Sequence, residues 1–209
     1  MRMKYLRTFE THSEQIETDN ANYRLRKFIN KVKTAYKFAE DAHKGVNRKG
    51  GVPYFTHPDA VAKIVHSVKN SKHIAELIAA AYLHDTVQDV DGVTVESIRE
   101  IFGDLVASLV GELTSNLDKI AISGKEEYLI DKMINMSSWA LVIKLADRLH
   151  NLKDFEEIMA GDDEKRKKWV RKYAEQTKNI IDEVEWYRKL SKPQKNLVEQ
   201  IRQKLSIVL

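Results

Sequence analysis

The sequence predicts an all-α fold, a single-domain bundle of about eight to ten helices. Two observations carry that expectation. Its 209 residues include only eight Gly and three Pro, which leaves little to punctuate the chain. Apolar residues also recur at intervals of three and four through segment after segment, the repeat of a helix with one buried face. The length is enough for one domain with a substantial core. With 43% hydrophobic and 32% charged residues the chain reads as globular rather than disordered. There is no cysteine, so disulfides and thiolate metal sites are excluded, and any metal must be held by His, Asp, Glu or water. No apolar run reaches the length of a membrane span and no secretory leader pattern opens the chain, so the expectation is a cytoplasmic protein without membrane contact.

Residues 1 to about 20 are polar and weakly patterned, an N-terminal extension up to residue 21. From about Asn22 to Lys44 a helix is expected, with Leu25, Phe28, Ile29, Val32, Tyr36, Ala39 and Ala42 as its apolar positions and Gly45 as its stop. Helices follow at about Pro58–Val68 and Ser71–Asp89, lined by Val61, Ala62, Val65 and Val68 and by Ile74, Leu77, Ile78 and Ala81. Thr94 and Asp104 are candidate N-caps for two more, the second burying Val106, Leu109, Val110 and Leu113. Ser115 to Glu127 is the most loop-like interior stretch, with a helix near Lys125–Ile134 after it. Ser138–Leu152 begins apolar nearly all round, which marks a central helix. A long helix from about Glu164 to Leu190, capped by Asp162 or Asp163, precedes a last one opened by Pro193.

The formal charge of +4 is uneven. Between Glu164 and Lys204 there are thirteen Lys/Arg against six Asp/Glu, so the remainder is net negative. Such a segment can attract a phosphate-rich ligand or nucleic acid, although most helical Lys/Arg runs are simply solvated faces.

Three stretches carry chemistry. The first is Tyr82-Leu83-His84-Asp85-Thr86-Val87-Gln88-Asp89, at the end of a buried apolar run. His and Asp are costly to bury unpartnered, and a metal ion suits both. If the helix continues, His84, Asp85, Gln88 and Asp89 share one flank. The second runs from Asn47 to Pro58. Arg48 and Lys49 stand beside two glycines, which suits phosphate contact, and His57 is held where Pro58 opens a helix. In the third, Asp147 lies within the central helix, with Asn151 one turn on and Lys144 three residues before. Pairing with Lys144 accounts for a buried Asp147, and so does metal ligation.

The motifs Arg48-Lys49-Gly50-Gly51-Val52-Pro53-Tyr54-Phe55-Thr56-His57-Pro58, Leu83 to Asp89 and Lys144 to Asn151 occur in one order and spacing. Together they resemble the HD superfamily of metal-dependent phosphohydrolases, and more narrowly the hydrolase domain of RelA/SpoT-type alarmone enzymes and their stand-alone small relatives. The resemblance runs from about Ala35 to Thr177 and implies an HD-type domain over residues 22–209. It implies one divalent ion, usually Mn2+, held by His57, His84, Asp85 and Asp147. It implies a small-molecule nucleotide partner, (p)ppGpp, whose 3′-diphosphate is hydrolysed to leave GDP or GTP and pyrophosphate. Arg48, Lys49, Asn151 and Tyr173 are then the substrate-binding residues, and Gln88 and Asp89 the catalytic positions.

Two residues depart from that pattern. Hydrolytic relatives carry Glu-Asp where this chain has Gln88-Asp89, and Gln has no ionisable carboxylate with which to act as a base. Asp154 stands where relatives carry threonine, adding negative charge unless Arg148, Lys153 or the metal offsets it. These departures keep open a weakened hydrolase, a nucleotide-binding pseudoenzyme and an enzyme for another nucleotide such as the 2′-phosphate of NADPH. A non-catalytic nucleic-acid or protein-binding module leaves the His/Asp set unexplained.

Overall fold

The computed structural model describes residues 2–48 and 51–209, with side chains described from residue 18 onward except at 156 and 157. Lys49 therefore lies outside the described residues. Among those described there is no strand. Eleven helical segments run in the order α1 (Arg2–Ala42), α2 (Thr56–Val68), α3 (Ile74–Leu83), α4 (Thr86–Asp89), α5 (Val95–Phe102), α6 (Asp104–Leu113), α7 (Leu117–Ser123), α8 (Lys125–Asn135), α9 (Ser138–Ala160), α10 (Glu164–Tyr187) and α11 (Lys192–Val208). Nine of them have eight residues or more, in line with the all-α expectation.

Two helices form the centre. Every residue of α3 from Leu77 to Leu83 is buried, because α1, α2 and α6 cover it on different sides. In α9 the stretch from Ala140 to Leu149 is apolar except for Lys144, Asp147 and Arg148 and buried except for the half-buried Lys144, and α2, α10 and α11 pack around it. Burying a Leu or Ile side chain contributes about 1.5–3 kcal/mol. Charged residues within such a helix therefore need partners, and the site described below supplies them.

The covering helices meet this centre through the faces their sequences encode, with adjustments. In α1 the buried positions are Ala35 and Ala39, with Phe28, Val32 and Phe38 packed beside them, while Leu25, Ile29 and Tyr36 are exposed. The apolar face is thus rotated from the expected stripe, with the small Ala35 and Ala39 buried on the helix that packs against α3. The helix also crosses residues 21 and 22 without a break, running from Arg2 rather than from about Asn22. Lys31 Nζ bonds Glu76 Oε1 at 2.8 Å and ties α1 to α3.

Several joints follow from local chemistry. Thr94 caps α5 as expected, its hydroxyl accepting from Ser97 N in a reciprocal capping box. Asp104 is not the cap of α6. Gly103 occupies that place with φ 88° and ψ 170°, a backbone that glycine alone adopts easily, and Asp104 pairs with Arg99 at 2.7 Å. The loop-like stretch after Ser115 contains α7, capped by Asn116, which accepts from Lys119 N. Arg188, just beyond α10, donates from Nη1 to the carbonyls of Met133 and Met136 and closes the end of α8. Gln194 of α11 donates to Ser138 O and Oγ and anchors the last helix at the start of α9.

Candidate metal centre and nucleotide pocket

The expected Ser71–Asp89 helix is interrupted at His84 and Asp85, between α3 and α4. Thr86 Oγ1 donates to Leu83 O at 2.7 Å, and Gln88 N and Asp89 N both donate to Asp85 O, so the chain turns tightly there. This break divides the four polar side chains that a continuous helix would place together. His84 and Asp85 face the interior of the bundle. Gln88 is exposed, and its Oε1 accepts from Ser115 N at 3.2 Å. Asp89 stays with Asp85 through Tyr54, whose hydroxyl lies 2.7 Å from Asp85 Oδ2 and 3.0 Å from Asp89 Oδ2.

Three regions distant in sequence converge on this turn. The first turn of α2 supplies His57, and the middle of α9 supplies Asp147. The candidate ligand atoms of His57, His84 and Asp85 lie within 4.8 Å of one another. His57 Nε2 is 3.2 Å from Asp147 Oδ1 and 3.7 Å from Asp85 Oδ2. His84 Nε2 is 3.1 Å from Asp85 Oδ2 and 4.0 Å from Asp147 Oδ1. All four sequence-predicted ligands are therefore brought together.

The donor set fits a divalent cation. His84 Nδ1 lies 2.8 Å from Ala81 O. A carbonyl only accepts, so Nδ1 carries a proton, and Nε2 is the atom that presents a lone pair once the ring is neutral. That Nε2 is buried and makes no hydrogen bond. A buried imidazole nitrogen without a hydrogen bond, 3.1 Å from one carboxylate oxygen and 4.0 Å from another, is the arrangement a metal satisfies. Two imidazoles and two carboxylates without thiolate suit a hard to borderline ion.

The electrostatics are those of a tightly paired charge cluster. Burial opposes the charge on Asp147, and Lys144 Nζ, 2.8 Å from its Oδ2, outweighs that and holds the carboxyl well below the usual range. Pairing with Lys144 and proximity to the histidines thus hold together at Asp147, one oxygen for each. Asp85 is likewise held low, because the His84 ring outweighs burial. Burial lowers His57, whereas at His84 the neighbouring Asp85 overcomes burial and pushes the ring up to about 9, so a cation taken up at Nε2 replaces a proton held there. Asp89 moves the other way, raised by partial burial and by the Asp85 charge.

A network of polar side chains adjoins the centre. Asn151 Nδ2 donates to Asp147 Oδ1 at 2.9 Å and lies 3.3 Å from Tyr173 Oη. Arg48 Nη2 donates to Asn151 Oδ1 at 2.8 Å and pairs with Asp154 Oδ2 at 2.9 Å. The cation that offsets Asp154 is thus Arg48. Arg148 is turned away, with Nη1 donating to Thr177 Oγ1 at 2.7 Å and Cζ 5.4 Å from the centre of the Tyr173 ring. It joins α9 to α10 and steadies Tyr173 against this network.

Sequence reasoning assigned no task to Tyr54 or His150. Tyr54 lies three residues before His57, and His150 three after Asp147 on the same helix. That spacing was the available signal, but it does not show which way each ring turns.

A family model described as HD domain matches residues 35–183. The bifunctional (p)ppGpp synthase/hydrolase SpoT of Escherichia coli K12 is 36% identical over 151 residues, 69% of this chain and 20% of its own length. A probable GTP pyrophosphokinase of Mycobacterium leprae is 43% identical over 126 residues, 58% of this chain and 15% of its own. The chain thus spans about a fifth or less of these curated relatives. A solved structure of a metazoan ortholog of SpoT, reported to hydrolyse ppGpp, superposes with a TM-score of 0.65 at 26% identity, covering 83% of this chain and 94% of that one. A family match across more than half of the chain, with the helical fold shared, establishes that this chain belongs to the HD-domain family.

Proposed function

We propose that the chain hydrolyses the 3′-diphosphate of (p)ppGpp to GDP or GTP and pyrophosphate, with one divalent ion, Mn2+, held by His57, His84, Asp85 and Asp147. The observation that carries this reading is the buried His84 Nε2, without a hydrogen bond, at a point where His57, Asp85 and Asp147 converge beside Arg48 and Asn151. The reported activities of the metazoan ortholog and of SpoT supply the substrate class. When bound, the ion lowers the pKa of a coordinated water and offsets phosphate charge. Arg48 binds and orients the diphosphate by a charge-assisted contact. Asn151 and Tyr173 line the nucleotide side. Asp89, whose raised pKa makes it the more basic of the two carboxylates on Tyr54, accepts the proton from water.

Lys49 is included as a phosphate contact by the sequence pattern alone. No helix among the described residues is long and apolar enough to cross a membrane.

A second reading, a slow hydrolase or nucleotide-binding pseudoenzyme, is favoured by one observation. Gln88 cannot take a proton, and its side chain is engaged with Ser115 N. The test is a Mn2+-supplemented ppGpp assay on this chain and its Gln88→Glu variant. Turnover by the parent chain supports Asp89 as the base, with the variant faster by up to about 10²–10⁴-fold if position 88 is the better base. Turnover by the variant alone supports the second reading. No turnover by either, with metal bound, overturns the substrate assignment.

A further inference from the structure

His150 and Asp154 stand next to the centre without a task in the reading above. His150 Nδ1 is 2.9 Å from His57 Nδ1. His57 turns Nε2 toward Asp147 and Asp85. A His57 that offers Nε2 to a cation keeps its proton on Nδ1. That N–H points at His150 Nδ1, which must accept it. The proton of His150 is then on Nε2, and Nε2 faces Asp154 Oδ1 at 3.5 Å.

The other oxygen of Asp154 is committed elsewhere. Oδ2 pairs with Arg48 Nη2 at 2.9 Å, and Arg48 leads back through Asn151 to Asp147. The contacts therefore close into a ring: His57, His150, Asp154, Arg48, Asn151, Asp147 and His57 again. The ring passes through two metal-facing side chains and the cation placed to meet phosphate. Asp154 is the member where the two arms meet.

We propose that Asp154 is a positioning residue with two tasks: Oδ1 buttresses the metal ligand His57 through His150, and Oδ2 holds Arg48 until an anionic phosphate displaces it. The inference rests on the metal-centre reading. A carboxylate behind a ligating histidine fixes the ring and makes it a better donor, and losing one lowers metal affinity by about 10–100-fold. The Arg48 arm acts in the opposite sense. Asp154 competes with phosphate for the same guanidinium and repels it by like charge. One carboxylate thus strengthens metal binding while weakening anion binding.

The opposed signs make the test. Asp154→Asn keeps the shape and removes the charge, at a side chain already 34% exposed, so the fold should tolerate it. Calorimetry on the full chain would follow Mn2+ without nucleotide, and inorganic pyrophosphate on protein kept metal-free with EDTA. The expected result is Mn2+ affinity about tenfold lower and pyrophosphate affinity several-fold higher. His150→Gln should lower Mn2+ affinity and leave pyrophosphate unchanged. Asp154→Ala provides the same readouts if the Asn variant melts early. Both affinities falling together indicates a structural role and overturns the proposal. So does either affinity remaining at the parent value in the Asp154 variants. If the parent chain takes up no Mn2+, the metal-centre reading falls along with this inference. If it does and the variants match it, the inference alone falls.

Discussion

At the scale of the residue, the site depends on how each polar side chain divides its atoms between partners. Asp147 gives one oxygen to Lys144 and turns the other to His57 and Asn151. His84 spends Nδ1 on Ala81 O and leaves Nε2 free of hydrogen bonds. The candidate ligands were legible because His57, His84, Asp85 and Asp147 recur in a recognisable order. The tasks of Tyr54, His150 and Asp154 were not, since ring and carboxylate orientation depends on contacts across 31, 93 and 106 residues of chain. Gln88 was expected beside His84, and the turn at Asp85 sends it to Ser115 instead. Tyr54 has one hydroxyl proton and faces two carboxylates, so it donates to only one of Asp85 and Asp89 at a time. Hydrogen bonds to charged groups contribute roughly 1.5–3 kcal/mol. Tyr54→Phe is predicted to lower stability by about that amount in urea unfolding at neutral pH, and an unchanged midpoint would show that this bond contributes nothing to the fold.

At the scale of the element, a helix face was readable where large apolar residues are enclosed by several neighbours, as in α6 against α3, α5 and α9, and misread where one neighbour is met at small residues, as in α1 against α3. In α6 the residues Val106, Leu109, Val110 and Leu113 are buried as their spacing implies. In α1 the buried positions are the small Ala35 and Ala39, and the larger Leu25 and Ile29 are left in solvent. The polar latch on that contact is Lys31–Glu76, whose side chains are 22% and 21% exposed. Burial tends to raise the Glu76 pKa, and Lys31 overcomes it and lowers the group below its ordinary value. A depressed carboxyl stabilises the fold above its unfolded-state pKa, and that stability is lost as pH falls through the folded value. Lys31→Ala should therefore cost up to about 1 kcal/mol near neutrality and progressively less as pH drops below about 4.5, read from unfolding curves across that range. A cost independent of pH would assign the loss to packing.

At the scale of the whole molecule, the bundle serves to bring three remote stretches to one point. The core pair α3 and α9 carries His84, Asp85 and Asp147 into the interior, and α2 leans on both to deliver His57. The all-α class was evident from the scarcity of Gly and Pro, and the central helices from their apolar runs. The interruption between α3 and α4 was not, because no Gly or Pro marks it. The break is set by Thr86 bonding back to Leu83 O and by the partners waiting for His84 and Asp85. Removing a buried ligand should thus abolish metal uptake while leaving the helical bundle formed.

The measurement that tests this most directly is Mn2+ binding, by electron paramagnetic resonance of the free ion, to the parent chain and to His84→Ala with helical content checked by circular dichroism. The account predicts one tight site per chain in the parent and its loss in the variant at unchanged helicity. A parent chain that binds no divalent ion, or a variant that binds as tightly as the parent, would contradict it.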